Sequence, residues 1–348
     1  MRVLAAMSGG VDSSVAAALL LDDGHEVVGA TMKLWGGPSD QGCCSVADVD
    51  DARRVCQQLG VAHHVFNFSE DFNAAVVDPY IEAHTHGRTP NPCVECNRHL
   101  KFDRFLRRAQ QLGFDAIATG HHAKVVAEDG RFALRRGHDS AKDQSYVLHM
   151  LGQSSLAQTL LPVGAMTKTE VRAIADARGL RTAAKPDSQD TCFLPSTGGR
   201  STFLGDRIPL RPGRVVDAAG NAMGVVDAIE LVTVGQRRGL GVGAVASNNG
   251  EARYAVGVDT DAGVVTVGTI DDLFVDHQRV SAITWTDDAA PSGAPVQVQS
   301  SAHGATAPAT WMGDGVEWAS PYRRIAPGQS VVLYADDNDR VLGGGIAE

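Results

Sequence analysis

Near the start of the chain, Ser8-Gly9-Gly10-Val11-Asp12-Ser13-Ser14 places two glycines, three hydroxyls and a carboxylate between two apolar runs, Arg2–Met7 and Val15–Leu21. Glycines at a strand-to-helix turn let backbone N–H groups approach a ligand closely. The helix N-terminus adds unsatisfied donors and a positive dipole end, so the stretch is built to hold an anion. No Lys follows the glycines as in GxxxxGK[ST], and there is no GxGxxG. The plain alternative is a glycine-rich turn that binds nothing. A second chemistry is carried by thiols. Cys93 and Cys96 stand two residues apart in Gly87-Arg88-Thr89-Pro90-Asn91-Pro92-Cys93-Val94-Glu95-Cys96-Asn97. Arg98 and Lys101 follow, and such cations favour the thiolate, the reactive form of a group whose reference pKa is about 8.5. Cys192 lies in another polar stretch, Lys185-Pro186-Asp187-Ser188-Gln189-Asp190-Thr191-Cys192-Phe193. Two loop cysteines converging beside an anion site would suit sulfur chemistry. Cys93, Cys96 and Cys192 together are also the ligand type of an iron–sulfur cluster with one open iron.

The elements that must position these groups read as an alternation. Arg2–Met7 is a strand, Val15–Leu21 a helix and Glu26–Met32 a second strand. A helix from about Ser45 to Leu59 then stops at Gly60. Its Val49, Ala52, Cys56 and Leu59 share one face, which makes Cys56 a core residue. Val61–Phe68 is a third strand and Asp115–Thr119 a fourth. This order predicts a parallel, doubly wound sheet with ligands at the carboxyl ends of its strands. Two prolines in three residues predict that Gly87–Asn97 is a loop, followed by a helix with Phe102, Phe105, Ala109 and Leu112 on its apolar side. Lys101, Arg104 and Arg108 fall on a different face, either a polyanion contact or an ordinary solvated surface. Ala123–Gly137 reads as a hairpin turning at Asp129-Gly130. Lys142-Asp143-Gln144-Ser145-Tyr146 opens an apolar helix, and Thr167-Lys168-Thr169-Glu170 is a capping box. Beyond about residue 200, helical periodicity gives way to short strands between Gly, Pro and Asp turns, including a hairpin across Asp259–Val265, as in small barrels and sandwiches. The expected organisation is an α/β domain over 1–200, a small mixed domain over 201–267 and a β-barrel over 268–348.

Length and composition agree with a multidomain globular protein: 348 residues, 43% hydrophobic, with no apolar run of membrane-spanning length. Six cysteines and no signal segment suit a reducing, cytoplasmic setting and no membrane partner. The formal charge of −10 is unevenly spread: residues 201–348 hold 10 Lys/Arg against 18 Asp/Glu. From Arg88 to Arg108 the balance reverses, and a local basic stripe on an acidic protein can still guide a nucleic acid.

The string Ser8–Ser13 resembles the pyrophosphate loop of ATP pyrophosphatases, which split ATP to AMP and pyrophosphate and place AMP on a substrate oxygen. The resemblance extends along the chain in order. Gly87–Pro92 with Cys96-Asn97, Ala118-Thr119-Gly120-His121, Lys142–Tyr146, Asp187-Ser188 with Cys192-Phe193, Gly235-Gln236-Arg237-Arg238-Gly239-Leu240-Gly241 and Leu342-Gly343-Gly344-Gly345-Ile346 all look like the tRNA-specific 2-thiouridylase family. That resemblance implies a tRNA partner whose wobble uridine is adenylated at its C2 oxygen and then given sulfur. It implies ATP with Mg held by Ala6, Met7, Ser8, Gly9, Gly10, Val11, Asp12 and Ser13, with Met32 and Gly120. Cys96 would be the catalytic nucleophile and Cys192 the persulfide carrier, supplied by a persulfide sulfur donor and ending as a transient disulfide. Asn91, Pro92 and Cys93 would face the target base, and His121, Lys142, Asp143, Gln144 and Gln329 would touch tRNA.

Two positions depart from the family pattern. Cys93 stands where many members carry Asp, and Ser301-Ala302-His303 stands where an Arg-Tyr pair is expected. Cys43 and Cys44 could join Cys93 and Cys96 as a zinc site, although adjacent ligands are unusual in tetrahedral sites. Other classes that share features are a nucleotide-amidating enzyme such as GMP synthetase, which needs no paired thiols, and a non-catalytic tRNA-binding module, which needs no intact Asp12. A [4Fe–4S] cluster on Cys93, Cys96 and Cys192 is the alternative to a persulfide relay.

Overall fold

A computed structural model describes residues 1–35, 45–187, 191–195, 197–242 and 252–348. Cys43, Cys44 and Ser188 lie outside the described residues, and so does the zinc arrangement that invoked the first two. The N-terminal sheet has five strands in the order β3-β2-β1-β4-β7. They are β1 (Arg2–Ala6), β2 (Glu26–Lys33), β3 (His63–Asn67), β4 (Ala116–Ala118) and β7 (Thr159–Leu160), all paired in parallel. The antiparallel hairpin of β5 (Ala123–Glu128) and β6 (Arg131–Arg136) lies between β4 and β7 in the chain. Two neighbours of β1 are reached by chains running in opposite directions across the sheet. The carboxyl end of β1 is therefore the switch point where such sheets bind ligands.

Helix α1 (Val11–Asp22) is buried along nearly its whole length, from Val11 through Leu20, because it packs against the sheet and under later helices. Helix α2 (Val46–Leu59) is amphipathic, with Ala52, Val55 and Cys56 buried. The Cys56 thiol is pushed up to about 11 by burial, as a core cysteine should be. Gly29 in β2 is required beside it, since a Cβ there would run into Cys56 Sγ.

Two local expectations are overturned. The stretch after Pro90 is helical from Pro92 onward, through Pro92–Glu95, the wider-wound Cys96–Arg104 and Phe105–Gln111. Proline's missing N–H costs nothing at the first helical position, and Asn91 Oδ1 caps the turn by accepting from Cys93 N at 3.1 Å. Cys96 is thus a buried helical residue rather than a loop residue. Conversely, Lys142–Tyr146 opens only a short 3-10 turn, Ser145–Leu148. The Asp143 carboxylate accepts from Gly137 N, Ser145 N and Ser145 Oγ at 2.8–3.0 Å, which folds the segment back on the hairpin. The expected capping box is present: Thr167 Oγ1 accepts from Glu170 N at 3.2 Å and Glu170 Oε2 from Thr167 N at 2.7 Å.

The middle sheet, β10-β11-β8-β9, comprises β8 (Gly213–Val216), β9 (Ala222–Val226), β10 (Tyr254–Asp259) and β11 (Val264–Gly268), the last two forming the expected hairpin. The C-terminal strands are β12 (Phe274–Trp285), β13 (Pro295–Gln299), β14 (Ala307–Trp311), β15 (Gly315–Arg323), β16 (Ser330–Tyr334) and β17 (Val341–Ala347). They close into a six-stranded barrel, leaving no open sheet edge. Val332, Tyr334 and Val341 of the barrel share one apolar core with Leu134, Tyr146 and Leu148 of the α/β domain. Arg136 reinforces that seam. It pairs with Asp143 at 2.7 Å, donates to Gln299 Oε1 at 2.9 Å and lies over the Tyr334 ring.

Candidate active site

The loop after β1 is shaped by its own hydroxyls. Ser13 Oγ donates to Gly10 O at 3.1 Å and accepts from Ser8 N at 3.3 Å, while Ser14 Oγ donates to Gly10 O at 2.8 Å. Gly9 sits at φ 73°, where a Cβ would also strike the Asp48 carbonyl, so only glycine fits. Gly10 begins α1 in an extended conformation and no side chain caps it. Across the opening, a Cβ on Gly120 would lie 2.6 Å from Ser13 N. The backbone there is thus held open to a ligand by the absence of a side chain.

A cavity of about 590 Å³ opens over this loop. Ala6, Met7, Ser8, Gly10, Val11, Asp12 and Ser13 line it, with Met32 and Gly120. Pro92, Cys93, Cys96 and Cys192 line the same space, as do His121, Lys142, Asp143 and Gln144. The structure therefore brings the anion loop and all three candidate thiols to one cavity. Cys96 is buried, Cys192 half-buried and Cys93 exposed. Three expected residues are placed differently. Gly9 sets the loop's turn, Asn91 caps the Pro92 helix, and Gln329 Nε2 donates to Thr89 O at 2.6 Å, away from the cavity wall. Of the basic stripe, Lys101 lines the cavity, whereas Arg104 pairs with Asp71 and lies over Phe68, and Arg108 lies over Phe66.

The electrostatic centre is a lysine-rich network that the sequence reading did not single out. Lys168 Nζ lies 2.7 Å from both Asp12 carboxylate oxygens and 2.9 Å from Asp187 Oδ1. Lys142 Nζ reaches Asp187 Oδ2 at 2.9 Å and Arg172 reaches Asp187 Oδ1 at 2.8 Å. Lys185 Nζ binds Gly9 O, Asp48 and Asp51 at 2.6–2.9 Å, tying α2 to the loop. Burial raises the Asp187 pKa, but hydrogen bonds from Lys142 and Lys168 outweigh it and bring the group down to about 2. Asp12 behaves alike: burial raises it, and His122 and Lys168 lower it further than that. His122 Nε2 meets Asp12 Oδ1 at 3.1 Å. His121 is held well below its ordinary range, first by burial and then by Lys101 and His122, so its imidazole is neutral, with Nδ1 2.7 Å from Thr119 Oγ1. Lys142, Lys168 and Lys185 all face the cavity, an arrangement suited to a polyphosphate. Lys168 escaped notice because it stands inside the capping box, where it reads as an ordinary helix residue.

The segment that departs from the expected Arg-Tyr pair also reaches the site. Ala302 and His303 line the cavity, and Gln299 Nε2 holds their loop by donating to Ser301 O at 2.8 Å. The barrel thus completes one wall. Among the described residues no group of three His, Cys, Asp or Glu side chains is arranged to hold a metal. Cys93, Cys96 and Cys192 share the cavity without forming such a set.

A parallel sheet with a glycine-rich anion loop at its switch point, facing lysines and paired thiols, defines an ATP-using α/β enzyme of the pyrophosphate-loop type. Three family models agree: the tRNA methyl transferase HUP domain over residues 1–196, its PRC-barrel domain over 201–269 and the aminomethyltransferase β-barrel domain over 275–347. The chain is 47% identical over 357 residues to the tRNA-specific 2-thiouridylase MnmA of Chloroflexus aggregans, covering 99% of this chain and 97% of that protein. It is 45% identical over 360 residues to the enzyme of the same name from Mycobacteroides abscessus, covering 99% of each. Among solved structures, a 4-thiouridine synthetase–RNA complex with bound ATP aligns over 59% of this chain and 49% of that one. Its TM-score is 0.38 at 18% identity, too distant to carry an argument. The chain belongs to the tRNA-specific 2-thiouridylase family.

Proposed function

We propose that this protein replaces the C2 oxygen of the tRNA wobble uridine with sulfur, using ATP. The observation that carries this reading is one cavity lined at once by an anion loop, four lysines, Cys96 and Cys192. In the first step the uridine O2 attacks the α-phosphorus of ATP and pyrophosphate leaves. The glycine loop and the N-terminus of α1 hold the phosphates, and Lys142, Lys168 and Lys185 offset their charge. Asp12, kept ionised by Lys168 and His122, is the carboxylate that would hold the magnesium of Mg·ATP. In the second step the terminal sulfur of a Cys192 persulfide adds to C2. The Cys96 thiolate then attacks the inner sulfur, forming a Cys96–Cys192 disulfide. The electron pair of the broken S–S bond stays on the transferred sulfur and expels AMP as the C2=S bond forms. A thiol reductant reopens the disulfide and a protein persulfide donor reloads Cys192.

Cys96 and Cys192 on one cavity wall supply the two thiols that a persulfide relay needs. Cys93, exposed beside the helix start, is then dispensable as a ligand, and Cys93→Asp retains thiolation. The deciding experiment is incubation of the protein with ATP, unmodified tRNA and a persulfide donor. Nucleosides are read by mass analysis and nucleotides by chromatography. The expected products are 2-thiouridine, AMP and pyrophosphate; ADP and phosphate would refute the adenylation step.

A further inference from the structure

A second cleft, of about 470 Å³, lies where the α/β domain, the middle sheet and the barrel meet. Arg88 reaches it from the loop after the helix Asp78–Thr85, Arg279 from β12 and Arg324 from the segment after β15, with His86 and His277 beside them. All three arginines are exposed, and among the described residues none of the three guanidiniums has an acidic partner. Glu348 is the one acidic residue on the described wall. This is unusual for its surroundings, because residues 201–348 hold 10 Lys/Arg against 18 Asp/Glu. The other two basic residues of the barrel are engaged elsewhere, Arg340 with Asp287 and Arg323 with the Gly235 carbonyl. Among the described residues, the two arginines of the barrel without an acidic or carbonyl partner for their guanidinium both line this cleft. Guanidinium groups without carboxylates present planar, bidentate donor sets that match phosphate.

The cleft is joined to the reaction cavity by a short, fixed piece of chain. Thr89, next to Arg88, is held on three sides. Its N donates to Pro327 O at 2.8 Å, its O accepts from Gln329 Nε2 at 2.6 Å, and its hydroxyl lies 3.2 Å from that of Thr233. Pro92, on the cavity wall, follows four residues after Arg88, so their Cα atoms are at most about 14 Å apart. The backbone flanking a base delivered to the cavity wall at Pro92 and Cys93 comes within reach of this segment.

We propose that the Arg88–Arg279–Arg324 cleft binds the phosphodiester backbone flanking the nucleotide that enters the cavity, a proposal that rests on the tRNA-thiolation reading. The test uses full-length protein, an unmodified tRNA transcript bearing a wobble uridine, and the double variant Arg279→Gln/Arg324→Gln, whose sites lie on the barrel. Affinity is measured by fluorescence anisotropy across a salt series. Loss of two phosphate contacts should weaken binding about tenfold or more at moderate salt and lower the slope of log affinity against log salt by about 1.4 to 1.8. Arg279→Lys/Arg324→Lys, which keeps the charge, should retain most of the slope, and a thermal melt shows that each variant is folded. A folded Gln variant with unchanged affinity and slope would overturn the proposal. So would one that keeps tRNA affinity but no longer accepts sulfur from a protein donor, since the cleft would then be a protein dock. Wild-type protein that binds tRNA through the cleft but makes no 2-thiouridine would instead refute the thiolation reading and leave the cleft standing.

Discussion

The α/β domain and the barrel spend their charged residues in opposite ways. In the first, Asp12, Asp187, Lys142 and Lys168 are turned toward one cavity and bonded to each other across segments far apart in the chain, and Lys185 on the same cavity binds Gly9 O, Asp48 and Asp51. Removing one member leaves another charge half-buried without its partner, the costly case. At the barrel's surface, Asp288 is 84% exposed and meets Arg131 of β6 from outside the barrel, a pair that solvent screens. The barrel's contribution to the site is shape instead: a closed sheet whose Ala302-His303 loop forms one wall and whose core continues into that of the α/β domain. The same residue types therefore do chemistry in one region and solubility in the other. What separates them is burial around a shared cavity.

The largest effect expected within this contrast is at the thiols. Cys96→Ser and Cys192→Ser should each lower 2-thiouridine formation by at least about a thousandfold, since the nucleophile or the sulfur carrier itself is gone, while tRNA affinity stays within error. Full thiolation by Cys192→Ser with a protein persulfide as sole sulfur source would break the assignment.

Next is Lys168→Met. It should reduce tRNA-dependent AMP release by about a hundredfold or more, as for loss of one preorganised charge at a reacting phosphate. It should also let the Asp12 pKa rise, so the acid limb of the pH–rate profile moves to higher pH. A variant with lower activity but an unmoved acid limb would mean that Lys168 does not set the ionisation of Asp12.

Stability against pH should follow Asp187. Its folded pKa of about 2 lies below the ordinary 3.8, so its stabilisation is present above about pH 4 and is lost as pH falls through 2. The shift corresponds to roughly 2 kcal/mol at most, reduced by solvent screening. Denaturant melts of wild type and Asp187→Asn should differ at pH 6 and converge toward pH 2; a constant gap would contradict the sign.

The smallest effect is reserved for the surface pair. Asp288→Ala should change stability by less than about 0.5 kcal/mol and leave both AMP release and thiolation unaltered. A larger loss would show that the barrel surface is not the screened region this contrast takes it to be.

Much of this was readable from residue order alone. The alternation of strands and helices, the glycine turn at Ser8–Ser13, the capping box at Thr167–Glu170 and the hairpins at Asp129-Gly130 and across Asp259–Val265 are set by neighbours within a few residues. There propensity and turn chemistry dominate, and the chain could be read locally. Cys56 was legible as core from helical spacing for the same reason. Pro92 was misread because the identical residue breaks a helix in its interior and starts one at its first turn, and only the Asn91 cap distinguishes the two. The folding of Lys142–Tyr146 onto the hairpin and barrel depended on Asp143 meeting Gly137, Arg136 and Ser145. Tertiary structure alone decided the site's electrostatics. Lys168 becomes a partner of Asp12, 156 residues away, and Gln329 one of Thr89, 240 residues away, only when the domains pack. Burial, which sets whether a charge is screened or strongly coupled, is a property of that packing and leaves no periodic trace in the chain.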